Sequence, residues 1–211
     1  GRFTTALTIG STESTWNLAS SNKLQIQNSI LAGYSTTGTF LTMNLNYNGA
    51  WKYISTGTAS IYSQDTGEHV FYTSTSGSAA ATATLNERMK ITNAGNVGIG
   101  VTPNTWNSTY KALQIGASMS LLQDGSSTSS YWGGNLYVGT DGNYRYTING
   151  TGGLFGIESG SIVYYGVASG TAGNVASLIE RFNVGLSSSF KIYTPSGTSE
   201  TLRLTCADTI G

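Results

Sequence analysis

Charge is scarce in this sequence: ten acidic and ten basic residues make up 9% of 211, and the formal net charge is zero. The basic residues stand singly, so no electrostatic footprint for nucleic acid exists and no nucleic-acid partner is expected. Cysteine occurs once, at Cys206, which excludes a disulfide framework within the chain. In Leu202-Arg203-Leu204-Thr205-Cys206 it reads as a small hydrophobe in a strand. His69 is the one histidine, so a histidine-based triad or multi-histidine metal site is excluded within one chain. Acid clusters able to hold a metal are missing too, and no cofactor or metal is expected. No apolar run reaches the length that spans a bilayer, so membrane insertion is not expected.

What is present points to strands. Ser, Thr, Gly and Asn make up almost half the chain, and aromatics another 11%. That aromatic content, with so little charge, does not describe a disordered tail. Thr, Tyr, Val, Ile and Trp dominate the apolar runs, which favours strands, and Gly, Asn and Ser punctuate them as turns do in all-β architectures. Only two stretches have any helical appeal, around 79–89 and 172–181.

The sequence also starts again. Leu7-Thr8-Ile9-Gly10 returns as Val97-Gly98-Ile99-Gly100 and as Val184-Gly185-Leu186. Thr15-Trp16-Asn17 returns as Thr105-Trp106-Asn107, and Leu24-Gln25-Ile26 as Leu113-Gln114-Ile115. Asn44-Leu45 matches Asn135-Leu136, and Trp51-Lys52-Tyr53 matches Tyr144-Arg145-Tyr146. Leu85-Asn86-Glu87-Arg88-Met89 falls on Leu178-Ile179-Glu180-Arg181-Phe182. Such a period predicts tandem β-rich modules over 1–96 and 97–183, with 184–211 starting a third. A chain that stops mid-module reads as a piece of a longer one. Each module is expected to open with a short strand (5–9, 97–101), a tryptophan loop and a second strand (23–31, 112–122). More strands and a flexible bend (73–84, 166–177) follow, then the Glu-Arg strand.

Between modules, Asn93 to Asn96 reads as a turn in which Asn and Gly95 supply positive backbone angles. Gly98 and Gly100 bare one side of the next strand, and the expected reason is the close approach of another chain's backbone. The segment from Glu87 to Pro103, E-R-M-x-I followed by G-N-V-G-I-G, resembles the linker of bacteriophage tail fibres and tail spikes. The match is close over about seventeen residues and loose in the second copy, Glu180 to Leu186. The resemblance implies an elongated, β-rich homotrimeric virion protein, located in the tail among other tail proteins, that attaches to a host cell-surface glycan or protein. The Ser, Asp, Glu and Lys pattern of the self-cleaving chaperone domain of such fibres is missing, so that domain lies downstream or has been removed. Thin modules of about ninety residues also argue physically for several chains sharing one core.

Glu87-Arg88 and Glu180-Arg181 recur in register and are expected to form ion pairs between strands or chains at the module ends. Trp16 and Trp106 repeat, as packing residues do. Trp51, Tyr131 and Trp132 do not repeat as types, and as aromatic faces are the candidate glycan contacts. Asp65 and Glu68 are the best carboxylate pair for glycan hydrolysis, which needs two acids about 5–10 Å apart. No catalytic role is assigned, and the expectation is a binding and structural protein rather than an enzyme. The alternatives are a tail-spike depolymerase fragment and a non-viral surface filament or adhesin.

Overall fold

The computed structural model describes residues 7–9, 22–33, 38–185 and 190–192, with side chains over 23–33 and 38–185. Trp16, Cys206 and the strand expected at 202–206 lie outside the described residues. The fold is all-β, with no helix among the described residues.

Strand β1 (Leu7–Ile9) lies parallel to β2 (Asn22–Ile26), which turns back into β3 (Ser29–Gly33) and β4 (Gly38–Met43). The chain then leaves the sheet for a small hairpin, β5 (Leu45–Tyr47) and β6 (Trp51–Tyr53). It returns as β7 (Gly57–Asp65), β8 (Glu68–Gly77) and β9 (Asn86–Ile91). The second half follows the same course. β10 (Val97–Ile99) pairs antiparallel with β9 and parallel with β11 (Tyr110–Ile115), before β12 (Met119–Asp124) and β13 (Ser130–Gly134). A second hairpin, β14 (Leu136–Val138) and β15 (Tyr144–Tyr146), precedes β16 (Gly150–Glu158), β17 (Ser161–Gly170), β18 (Ile179–Val184) and β19 (Phe190–Ile192). Apart from the two hairpins, the strands form one 15-stranded ladder in chain order.

The single strands expected at 23–31 and 112–122 are each a hairpin. Gln27 (φ 53°) and Gly116 (φ 58°) adopt left-handed backbone and reverse the chain between β2 and β3 and between β11 and β12. The two stretches with helical appeal are not helical. Ala80 and Ala83 donate their amides to the carbonyls of Tyr53 and Trp51, at 2.9 and 2.8 Å, and Gly173 and Ala176 do the same to Tyr146 and Tyr144. A loop that completes the edge of a hairpin cannot also close helical turns, so tertiary pairing overrides local propensity.

One face of the ladder is covered by these hairpins and loops. Each hairpin departs at an asparagine in left-handed backbone, Asn44 (φ 58°) and Asn135 (φ 60°). The Asn44 Nδ2 donates to the carbonyls of Ser55 and Thr58 (2.9 and 3.0 Å), and its Oδ1 accepts from the Ser55 amide and hydroxyl. Asn135 does likewise, donating to the Thr151 carbonyl and accepting from Thr147 Oγ1 and the Ile148 amide, each within 2.9 Å. The side chain thus ties together the two ends of each excursion. Beneath lie the fully buried Leu45 and Leu136, and Tyr53 and Tyr146 close over Gly77 and Gly170. A Cβ at either glycine would stand 2.2 Å from the tyrosine ring, so only glycine fits.

Asn135→Gly keeps the left-handed backbone and removes the three hydrogen bonds, so it is expected to cost about 1–3 kcal/mol. Asn135→Ala adds backbone strain of about 1 kcal/mol and should be the worse of the two. Urea unfolding of the three proteins checks the order; equal midpoints would dismiss the role given to Asn135.

Candidate functional site

Side chains alternate across a strand, so strict register lines up one set of residues on the uncovered face. In the first half, Leu24, Leu31, Leu41, Tyr62, Phe71 and Met89 stand opposite one another on successive strands. Met89 opposes Ile99 and Ile91 opposes Val97, so the line passes through β10 into the second half. There Leu113, Leu121, Trp132, Phe155, Tyr164 and Phe182 continue it. Leu41, Trp132 and Phe155 are 51%, 56% and 50% exposed. Tyr62 stacks on Phe71 with ring centroids 4.7 Å apart, and its hydroxyl hydrogen-bonds His69 Nδ1 at 2.6 Å. A shallow, mostly apolar groove of about 630 Å³ runs beside Trp132, lined by Lys111, Leu121, Ser130, Phe155, Ile157 and Ile162.

The three expected glycan contacts do not share a surface. Trp132 sits in mid-strand on the open face. Tyr131, its neighbour, points the other way, is only 9% exposed and packs over Gly156 in the core. Trp51 is half-buried on the covering hairpin, edge-on to both Phe40 (5.4 Å) and Tyr47 (5.3 Å).

Asp65 and Glu68 flank a two-residue turn in which Thr66 and Gly67 both have positive φ, and they pair directly across it on the covered face. Glu68 Oε2 is 2.7 Å from Lys90 Nζ, and this hydrogen bond raises the Lys90 pKa. The corresponding position in the second half, Glu158, opposes Ser161 and accepts a hydrogen bond from the Tyr165 hydroxyl at 2.5 Å. Burial pushes the Tyr131 phenol up to about 12, with a Ser129 hydrogen bond working the other way. Burial raises Tyr144 and Tyr165 as well, the latter helped by Glu158.

The Glu-Arg pairs find neutral partners. Glu87 accepts from Thr102 Oγ1 (3.0 Å), Arg88 Nε donates to Thr73 Oγ1 (2.7 Å), and Glu180 accepts from Asn183 Nδ2 (3.1 Å). Arg88 and Arg181 are the extra residues of two bulges, where β9 and β18 pass Phe71-Tyr72 and Tyr164-Tyr165. In β9 the ion pair belongs to Lys90.

The linker glycines answer to their own chain. A Cβ at Gly98 would meet the Val101 carbonyl at 2.1 Å and the Pro103 ring at 2.8 Å, so the crossover loop is the backbone that approaches. Gly95 (φ 83°) and Gly100 (φ 67°) are required by turns, at the β9–β10 reversal and at the exit from β10. That loop carries Trp106 into the core at 5% exposure. Two residues that spacing did not single out brace this region: the Gln114 Oε1 accepts from the Asn104 amide of the loop, and the Asn96 Oδ1, at the turn before β10, accepts from the Ala112 amide of β11, both at 3.0 Å. For Gln114 the signal was a polar side chain recurring inside an apolar strand, in Leu24-Gln25-Ile26 and Leu113-Gln114-Ile115.

The raised phenols make stability fall at high pH. Folded Tyr131 keeps its proton between pH 10 and 12 while the unfolded chain loses it. Its contribution is complete below about pH 10 and disappears as pH rises through 12. Thermal unfolding midpoints should therefore drop across that window, and Tyr131→Phe should flatten the drop. Neither a protein-family model, nor a curated protein, nor a solved structure matches the chain.

Proposed function

We propose that this chain is a segment of a bacteriophage tail fibre, built from tandem β modules in a homotrimer, that serves attachment of the virion to a host-cell surface glycan or protein. The observation that carries the reading is the apolar line from Leu24 to Phe182, which the described residues of a single chain leave uncovered. Isolated proteins seldom expose contiguous apolar patches beyond roughly 300–600 Å², and larger ones mark interfaces. Support also comes from the E-R-M-x-I linker and from the recurrence of one construction, with Asn44, Leu45 and Tyr53 answered by Asn135, Leu136 and Tyr146. Attachment works by repetition: weak contacts on three chains and several fibres multiply into firm adsorption. On this reading recognition belongs to the covering layer, where Trp51 and Tyr47 stand at the β5–β6 turn.

The native mass is the first test. Light scattering should return three times the 22.1 kDa of one chain, and a value of 22.1 kDa would remove the trimer. With labelled protein on a panel of intact bacterial cells, Trp51→Ala should lower retention several-fold with the mass unchanged. Release of reducing sugar from surface polysaccharide would favour a depolymerase instead.

A further inference from the structure

The molecule has one layer too few. On the covered side the hairpins and crossover loop bury Leu45, Leu136 and Trp106; on the other side nothing of the described chain lies over the ladder. Among the described residues, almost all the large hydrophobic side chains that are more than two-fifths exposed stand on that side. Together they expose on the order of 1,000 Å², enough for a specific protein interface. The aligned side chains from Leu24 to Met89 and from Leu113 to Phe182 include no charged group; the Lys111 ammonium stands at the edge of the groove, where it donates to the Ala94 carbonyl at 2.8 Å.

Length decides what lies there. Strands spaced about 4.8 Å apart make the 15-stranded ladder roughly 65 Å long. A second copy supplies an apolar line of the same length and the same strand spacing without further design. Shape agrees. Trp132, Phe155 and Tyr164 form a ridge on adjacent strands, and the groove lined by Leu121, Ile157 and Ile162 lies alongside it. In a closed ring each chain can set its ridge against the next chain's groove.

We infer that the open face of the ladder is covered by further copies of this chain, so that this face turns inward and the β5–β6 and β14–β15 hairpins turn outward. The inference takes the number of copies from the trimeric reading above; the choice of face stands on the exposed line itself. It also moves Trp132 from glycan contact to packing between chains.

Cross-linking tests the face independently of the mass. In a Cys206→Ser background, Phe155→Cys places a thiol on the open face, and Thr140→Cys one on the exposed turn between β14 and β15. With a short bis-maleimide, Phe155→Cys should give covalent dimers and trimers, and Thr140→Cys should stay single. The reverse pattern, with the trimer mass intact, overturns the face and leaves the trimer standing. A mass of 22.1 kDa for the parent protein overturns both. Phe155→Cys joined to a different co-purifying protein also overturns the inference, in favour of a foreign partner. Leu121→Lys should lower the mass from several chains to one with the strand circular-dichroism signal retained, since Leu121 is 44% exposed in the single chain. If it stays assembled, the inference fails; if it does not fold, the cross-links decide.

Discussion

The backbone ladder is the constraint on which everything else depends. From β2 to β18, the two hairpins apart, each strand is hydrogen-bonded to the next in chain order, so the residue opposite Leu31 decides the residue opposite Leu41, and so on along the sheet. A slip of one residue anywhere would turn the exposed line into the core and the core outward. The left-handed residues at Gln27, Thr66, Gly67 and Gly116 hold the register at the reversals. The bulges at Arg88 and Arg181 absorb one extra residue each.

A ladder alone buries nothing, since each face needs a second layer. This chain makes one such layer from its own excursions. Asn44 and Asn135 close the base of each hairpin, and Leu45 and Leu136 fill the space beneath. The two halves then fill the rest differently. Phe40, Trp51 and Asp65 stand in the first half where Tyr131, Tyr144 and Glu158 stand in the second, and there the phenols gather around one carboxylate. Among the described residues nothing of the kind lies over the other face, and the proposed assembly follows from that asymmetry.

Much of the architecture was legible in the sequence. Alternating Trp51-Lys52-Tyr53 and Tyr144-Arg145-Tyr146 mark strands, Asn93 to Asn96 marks a turn, and the absence of strong helix formers marks an all-β chain. The hairpins at 27–28 and 116–118 were not legible, because a polar pair or a lone glycine within an apolar run looks like any strand interruption. Glu87-Arg88 reads as an ion pair between strands or between chains; within the single chain, the bulge and the neighbouring Thr73 and Thr102 give both residues neutral partners. Gly98 reads as a place where another chain approaches, whereas Pro103 of the same chain fills it.

The sequence by itself determined the strand class, the two-residue alternation and the recurrence of Asn-Leu and Trp or Tyr at fixed offsets. These are properties of short stretches, and local sterics and hydrophobic pattern are enough to set them. Only the tertiary structure decided which side of each strand is covered. Tyr131 and Trp132 are neighbours of similar chemistry, and no local rule says which one enters the core. That depends on where the β14–β15 hairpin folds back, which Asn135 governs through bonds to residues 12 to 16 positions away.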